Sequence, residues 1–280
     1  MKKEGIIRGF YYLIEKILRF GGYKEEVVDL PDAEVHTLHY KNEKADIQMV
    51  LLHGIGTSSI QFCKILLPLR KKYEVWAPNL PTFINSSKVK GEHSYLTAAQ
   101  QAELLAPWLQ KLARNKPIVL VGISFGAWIS LELALRYPEI VKKLVKINGA
   151  GISKGVEEAR DHLASAKDNK ETMKILFRLY TRWEKFFWMW APFFKTVWMH
   201  PSVQQVLHNR ENQLPLDDKM HLLKMPVKII WGEEDQLLTK DVAEEFNRLI
   251  PDSKLCIIPS CGHSPPIERP DECVRELLEF

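Results

Sequence analysis

The sequence predicts an α/β fold, a mostly parallel central sheet flanked by helices, with a helical cap insertion late in the chain. Three observations carry this expectation. From residue 35 onward, short β-rich runs alternate with helical patterns, an order that favours a parallel sheet covered on both faces. The runs Met49-Val50-Leu51-Leu52 and Ile118-Val119-Leu120-Val121 are apolar without alternation, as central strands buried on both sides require. Between Gly151 and Leu223 the alternation stops and helical spacing takes over. A bare loop of that length is uncommon in a compact domain, so the segment is expected to fold as helices over the strand ends.

Taken in order, residues 6–20 place Ile6, Phe10, Leu13, Ile14, Ile17 and Leu18 at three- and four-residue spacings, with Arg8, Lys16 and Arg19 among them, until Gly21-Gly22 ends the pattern. This predicts a basic amphipathic helix within a 1–24 segment, one that either packs on protein or lies in a lipid headgroup layer. The β-rich runs follow at residues 35–40, 48–53, 74–78, 117–122, 144–148, 227–232 and 254–259, with helical patterns at 128–137 and from Asp271. The core is therefore expected over 25–150 and 224–280, and the cap over 151–223. Trp183, Phe186, Phe187, Trp188, Trp190, Phe193, Phe194 and Trp198 crowd the cap. Any one of these rings can serve helix packing, but their density suits a pocket for an acyl chain.

Composition narrows the function classes. A chain of 280 residues with 46% apolar content can bury a sizeable core. A formal charge of +4, read as scattered along the chain, is too small for a nucleic-acid footprint, so no nucleic-acid partner is expected. No run of eighteen apolar residues predicts a spanning helix. Cys63, Cys256, Cys261 and Cys273 show no paired zinc spacing and read as free thiols. The expected location is thus cytoplasmic, with peripheral contact at the inner face of a membrane as the extension that residues 6–20 suggest. No small-residue cleavage site follows the N-terminal run, and no cleaved signal is expected.

The densest chemical signal is Gly122-Ile123-Ser124-Phe125-Gly126, lying between a buried strand pattern and a helical one. In that context the spacing marks a nucleophile elbow, where the serine sits in a strained turn and small neighbours let the backbone approach closely. The helix start leaves backbone N–H groups unpaired, so an oxyanion forming beside Ser124 meets partial positive charge, with the Phe125 N–H as first donor. A second donor is expected from His53-Gly54-Ile55-Gly56-Thr57-Ser58-Ser59, and Ile55 N–H is the candidate. His53 itself is read as a brace for that loop.

A serine hydroxyl attacks poorly until a base takes its proton, and histidine, with a usual pKa of about 6.5, does this near neutral pH. His263, in Cys261-Gly262-His263-Ser264-Pro265, follows the last strand pattern, whereas His200, His208 and His221 fall in the expected cap. A carboxylate must hold the imidazole's tautomer and stabilise its charged form. Asp235 in Gly232-Glu233-Glu234-Asp235 is the candidate, with Glu233 and Glu234 as alternatives because a one-residue slip in a loop is invisible in sequence.

With these residues in place, the chain resembles the α/β-hydrolase superfamily over about residues 35–280, apart from the detailed cap sequence. Leu51-Leu52-His53-Gly54, Gly122 to Gly126, Ile229-Ile230-Trp231-Gly232-Glu233-Glu234-Asp235, Cys261-Gly262-His263 and Glu268-Arg269-Pro270 are similar to blocks of cap-bearing esterases and monoacylglycerol-lipase-like members. The chain order Ser124, Asp235, His263 is the one that family carries. The resemblance implies an α/β-hydrolase fold, a triad of Ser124, Asp235 and His263, an oxyanion hole from Ile55 and Phe125, and no metal or organic cofactor. The chain departs from it twice. It reads Asn79-Leu80-Pro81-Thr82-Phe83-Ile84-Asn85 where many relatives carry Asp-x-Pro-Gly-x-Gly, and Ala127 where a second glycine is common. A serine nucleophile in place of aspartate disfavours the dehalogenase and epoxide-hydrolase branches.

The expected reaction is hydrolysis of a small-molecule carboxylic ester through an acyl-enzyme, on a lipid-like substrate such as a monoacylglycerol. Carbon-carbon bond hydrolysis of ring-cleavage products, peptidase action on small N-terminal residues and perhydrolysis keep the same triad and remain rivals. A non-catalytic ligand-binding α/β-hydrolase is the rival from another class, and the intact Ser, Asp and His count against it.

Overall fold

The computed structural model describes residues 13–14, 16–83, 95–181, 187–209 and 214–280, without the side chains of 187–190. Its strands are β1 (Lys24–Leu30), β2 (Ala33–Tyr40), β3 (Gln48–Leu52), β4 (Glu74–Pro78), β5 (Ile118–Ile123), β6 (Val141–Ile147), β7 (Val227–Gly232) and β8 (Lys254–Ile258). They form one eight-stranded sheet in the order β1-β2-β4-β3-β5-β6-β7-β8. The β1–β2 and β2–β4 pairs are antiparallel, and every neighbour from β4 through β3 to β8 is parallel. The mostly parallel sheet flanked by helices is thus present.

The unalternating apolar runs have a direct explanation in the core. Met49, Leu51, Val119 and Val121 belong to one buried cluster, while Val50, Leu52, Ile118 and Leu120 belong to another. Successive side chains on a strand point to opposite faces, so a run with apolar residues at every position needs a core on each side. One of those layers contains α2 (Ala98–Asn115) and α3 (Phe125–Arg136). Helix α2 opens with a capping box, in which Thr97 Oγ1 accepts from Gln100 N–H at 3.2 Å and Gln100 Oε1 accepts from Thr97 N–H at 2.9 Å. Helix α3 is buried at every position from Phe125 to Ala134, as a helix enclosed on all sides must be. The opposite layer is built by α1 (Cys63–Leu69) and α10 (Pro270–Glu279).

Strand β1 escaped the sequence pattern. Its sequence KEEVVDL is mostly charged and its side chains are largely exposed, the composition of a protected sheet edge rather than of a core strand. It begins at Lys24, one residue before the expected start of the core. Strand β6 begins three residues earlier than the expected 144–148 and stops at Ile147, because Asn148 turns out of the strand with φ +40°. The insertion after β6 is helical among its described residues: α4 (Val156–Ala164), α5 (Asn169–Leu179), α6 (Phe187–Trp198) and α7 (Pro201–His208), followed by a 3-10 turn at Asp217–Leu222. Of the aromatic positions singled out there, Trp183 and Phe186 lie outside the described residues. Helix α8 (Lys240–Leu249) and the short α9 (Pro265–Glu268) complete the element order.

Candidate active site

Ser124 stands at the junction of β5 and α3 with φ +54° and ψ −118°. This conformation costs a non-glycine residue of order 1–3 kcal/mol and persists only where the surroundings enforce it. Here the enforcement is steric. A Cβ on Gly122 would lie 2.3 Å from Gly126 O and 2.4 Å from Ser130 Oγ, and one on Gly126 would lie 2.2 Å from Leu52 O. Strand and helix can meet this tightly only with hydrogen at both positions. The backbone of the strained residue is held on both sides: Ser124 N–H donates to Ile147 O, and Ala150 N–H donates to Ser124 O, each at 3.1 Å. Beneath this turn Lys146 is fully buried, donating from Nζ to Ala150 O at 3.0 Å and lying 3.6 Å from the Phe246 ring centroid. Burial holds its amine well below the usual lysine range.

The loop after β3 lies against Ser124, since a Cβ on Gly54 would be 3.3 Å from Ser124 Cβ. His53 braces that loop, as expected. Its Nδ1–H donates to Gly54 O at 2.8 Å, and Nε2 accepts from Leu80 N–H at 2.8 Å. An imidazole that donates at one nitrogen and accepts at the other must be neutral, and burial lowers its pKa from the usual 6.5 to about 4. Gln61, which no motif marks in the sequence, completes the brace. Its Oε1 accepts from Gly54 N–H at 2.8 Å and from Thr57 Oγ1 at 3.0 Å. Among the described residues, neither Ile55 N–H nor Phe125 N–H donates a hydrogen bond. The departure at 79–85 is described as far as Phe83. There Asn79 Oδ1 accepts from Ser59 N–H at 2.8 Å, and the Phe83 ring packs edge-on to Phe125 at 5.9 Å.

At the ends of β7 and β8, His263 Nδ1 lies 2.7 Å from Asp235 Oδ2. A carboxylate can only accept, so Nδ1 carries the donated proton, and Nε2 makes no hydrogen bond among the described residues. Glu233 and Glu234 are exposed while Asp235 is 2% exposed, so the carboxylate that meets the imidazole is Asp235. Both of its oxygens are fully engaged. Oδ1 accepts from Leu237 N–H at 2.8 Å and Leu238 N–H at 3.1 Å; Oδ2 also accepts from Asn148 Nδ2 at 2.6 Å. Asn148 cannot point the other way, because its Oδ1 accepts from Gly232 N–H at 3.0 Å. This asparagine was legible only as the last residue of a strand pattern.

His263 is held from behind as well. Its N–H donates to Leu179 O at 2.8 Å. The buried carboxylate of Glu268 accepts from Gly262 N–H at 3.1 Å and from both the N–H and Oγ1 of Thr181 at 2.9 Å. The end of α5 is therefore bonded to the His263 loop, and Val197, Trp198 and Val203 of α6 and α7 crowd Gly56 in the loop after β3. Ser124, Asn148, Asp235 and His263 share the carboxyl edge of β5, β6, β7 and β8, where ligands of open α/β sheets bind. Among the described residues no hydrogen bond joins Ser124 to His263; such nucleophile–base bonds are commonly long until substrate closes them. No cluster of metal-ligating side chains occurs among the described residues.

A family model described as alpha/beta hydrolase fold matches residues 48–270. The uncharacterized hydrolase YugF of Bacillus subtilis is 26% identical, covering 88% of this chain and 93% of the relative. Monoacylglycerol lipase ABHD6 of Mus musculus is 23% identical, covering 83% of this chain and 74% of the relative. The crystal structure of a membrane phospholipase A, described as a bacterial virulence factor, superposes with a TM-score of 0.79 at 23% identity, covering 99% of this chain and 94% of that one.

Two stability measurements follow from these contacts. Asn148→Ala strands Gly232 N–H and removes a donor from a buried carboxylate, so urea unfolding is expected to show a loss of about 2–3 kcal/mol; a loss below about 0.5 kcal/mol would contradict the network. His53 has a folded pKa below its unfolded one, so the unfolded chain binds the extra proton and folding loses stability as pH falls from about 6.5 towards 4. His53→Gln has no such proton to bind. The stability gap between wild type and this variant is expected to narrow by about 3 kcal/mol between pH 7 and pH 4, and a gap independent of pH would refute the assignment.

Proposed function

Because this chain belongs to the alpha/beta hydrolase fold family, we propose that it is a serine ester hydrolase with Ser124 as nucleophile, His263 as general base and acid, and Asp235 as the histidine's partner. The observation that carries the reading is the strained Ser124 at the start of a buried helix, on the same sheet edge as a buried His263–Asp235 pair. His263 Nε2 takes the Ser124 proton as Oγ attacks the acyl carbon. The imidazolium that results is stabilised by the Asp235 carboxylate, whose two oxygens accept four hydrogen bonds. The oxyanion rests on the Ile55 and Phe125 amides, which no other described group uses. His263 then protonates the leaving alcohol, and water repeats the sequence on the acyl-enzyme. No step needs a metal or organic cofactor.

The substrate reading is a lipid-like ester, with a monoacylglycerol as the type case. Three features support it: the apolar side chains about the loop after β3, with Val197 and Trp198 against Gly56 and the Phe83 ring against His53 and Phe125, the aromatic density of residues 183–198, and the monoacylglycerol lipase among the relatives. In this reading residues 151–223 are the cap over a core of 25–150 and 224–280. Residues 1–24 form an amphipathic segment that meets a membrane through 6–20. The four free cysteines fit a reducing, cytoplasmic setting with the membrane's inner face as the contact.

Ser124→Ala is expected to lower kcat against a p-nitrophenyl ester by about 10⁴-fold or more and to abolish labelling by a fluorophosphonate probe; near-normal turnover would sink the assignment. Against p-nitrophenyl esters of rising chain length, kcat/KM is expected to climb beyond acetate, by up to about tenfold for each pair of methylenes the pocket encloses. A preference confined to acetate would reject the lipid reading, and turnover of dienoate or aminoacyl-amide substrates in its place would redirect it.

A further inference from the structure

Of the helix expected over 6–20, residues 6–12 and 15 lie outside the described residues; the helical residues 13–14 and 16–20 carry two apolar stripes where a helix packed on a domain needs one. Ile14 and Leu18 face inward, Leu18 being 1% exposed within the core layer that also holds Phe62, Leu66 and Leu69. Leu13, Ile17 and Phe20, four and three residues apart, face outward at 55%, 51% and 97% exposure. The outward stripe is therefore not explained by packing, and Val27 on the edge strand β1 adds a further exposed apolar side chain at 52%. Residues 16–20 are helical and are tied to the body. Tyr23 N–H donates to Leu18 O at 3.0 Å, Tyr23 OH donates to Leu66 O at 2.7 Å, and Arg70 donates to Gly21 O. The stripe is thus displayed on a fixed platform.

Charge identifies what covers it. Residues 1–24 hold six basic side chains, Lys2, Lys3, Arg8, Lys16, Arg19 and Lys24, against Glu4 and Glu15. The whole chain has 39 basic and 35 acidic residues, so residues 25–280 carry 33 of each and are neutral. The entire formal excess of +4, which reads as scattered, belongs to the segment that presents the apolar stripe. One of these cations, Arg19, is met by Glu25 at 3.1 Å. A second copy of the chain docking by two-fold symmetry would oppose this positive segment with itself. An anionic lipid surface offers both complements at once, acyl chains for the stripe and phosphates for the cations.

We propose that residues 13–20, backed by the positive charge of residues 1–24, dock the protein on an anionic lipid bilayer, with Phe20, Ile17 and Leu13 entering the headgroup layer. This names the chemistry of the membrane contact above; it takes its purpose from the lipid-ester reading, but its geometry stands without it. No helix among the described residues is long and apolar enough to cross a bilayer, so the contact proposed is peripheral.

The test is co-sedimentation of the full chain with vesicles of phosphatidylcholine alone and of phosphatidylcholine with phosphatidylglycerol. Binding is expected to be about tenfold or more tighter to the anionic vesicles, and to be lost near 0.5 M salt, where the screening length falls to about 4 Å. I17S/F20S is expected to bind about tenfold more weakly or worse, and K3E/R8E about tenfold more weakly through lost attraction. Both variants should keep the wild-type melting temperature and turnover of a water-soluble short-chain ester. Ser124→Ala should bind vesicles as the wild type does, which separates failure of docking from failure of the catalytic reading. Equal binding to both vesicle types, or undiminished binding of I17S/F20S, overturns the proposal. So does a concentration-dependent dimer in sedimentation velocity that I17S/F20S abolishes, since the stripe would then be covered by a second copy.

Discussion

A buried carboxylate has to be compensated within the protein, and much of the site's architecture follows from how Asp235 is. At 2% exposure it has lost most of its contact with water, and an unpaired charge there would cost several kcal/mol. Four donors replace the solvent. Two come from the backbone just downstream, one from the imidazole after β8 and one from the amide of Asn148 after β6. The demand of one charge thus fixes the ends of three neighbouring strands relative to one another. Asn148 is central because it faces both ways, donating to Asp235 while accepting from Gly232 N–H.

The same turn reaches the serine. Ile147 O and Ala150 N–H hold the backbone of Ser124, and the buried amine of Lys146 holds Ala150 O. Only three residues separate Lys146 from Ala150, yet they connect the strained elbow to the carboxylate network. Strain at Ser124 is thereby sustained by rigid neighbours, among them the close approach of Gly126 to the Leu52 carbonyl. Of the two ring nitrogens of His263, Nδ1 is held by Asp235, and Nε2 makes no hydrogen bond among the described residues.

Much of this was legible in the chain. Gly-x-Ser-x-Gly between an apolar run and a helical pattern located the elbow because local backbone sterics alone demand small residues there. The paired apolar runs located the central strands because a two-sided core removes alternation. His263 and Asp235 were readable because each follows directly on a strand, and the sheet's parallel order brings strand ends to one edge. The edge strand β1 was hidden for the converse reason: its charges suit solvent, and its β-structure depends on pairing with β2 rather than on its own pattern.

What the sequence by itself determined is therefore whatever local sterics and hydrophobic period dictate: the parallel α/β core, the strained turn at Ser124 and the placing of Asp235 and His263 just past strand ends. Only the tertiary structure decided that Asp235, and not Glu233 or Glu234, meets the histidine, and that Asn148, Gln61 and Glu268 hold the loops. It also decided that Ile14 and Leu18 pack inward while Leu13, Ile17 and Phe20 stay bare. Each of these depends on which polar groups lose water together and which apolar ones keep it. That is settled by segments far apart in the chain, and no local pattern records it.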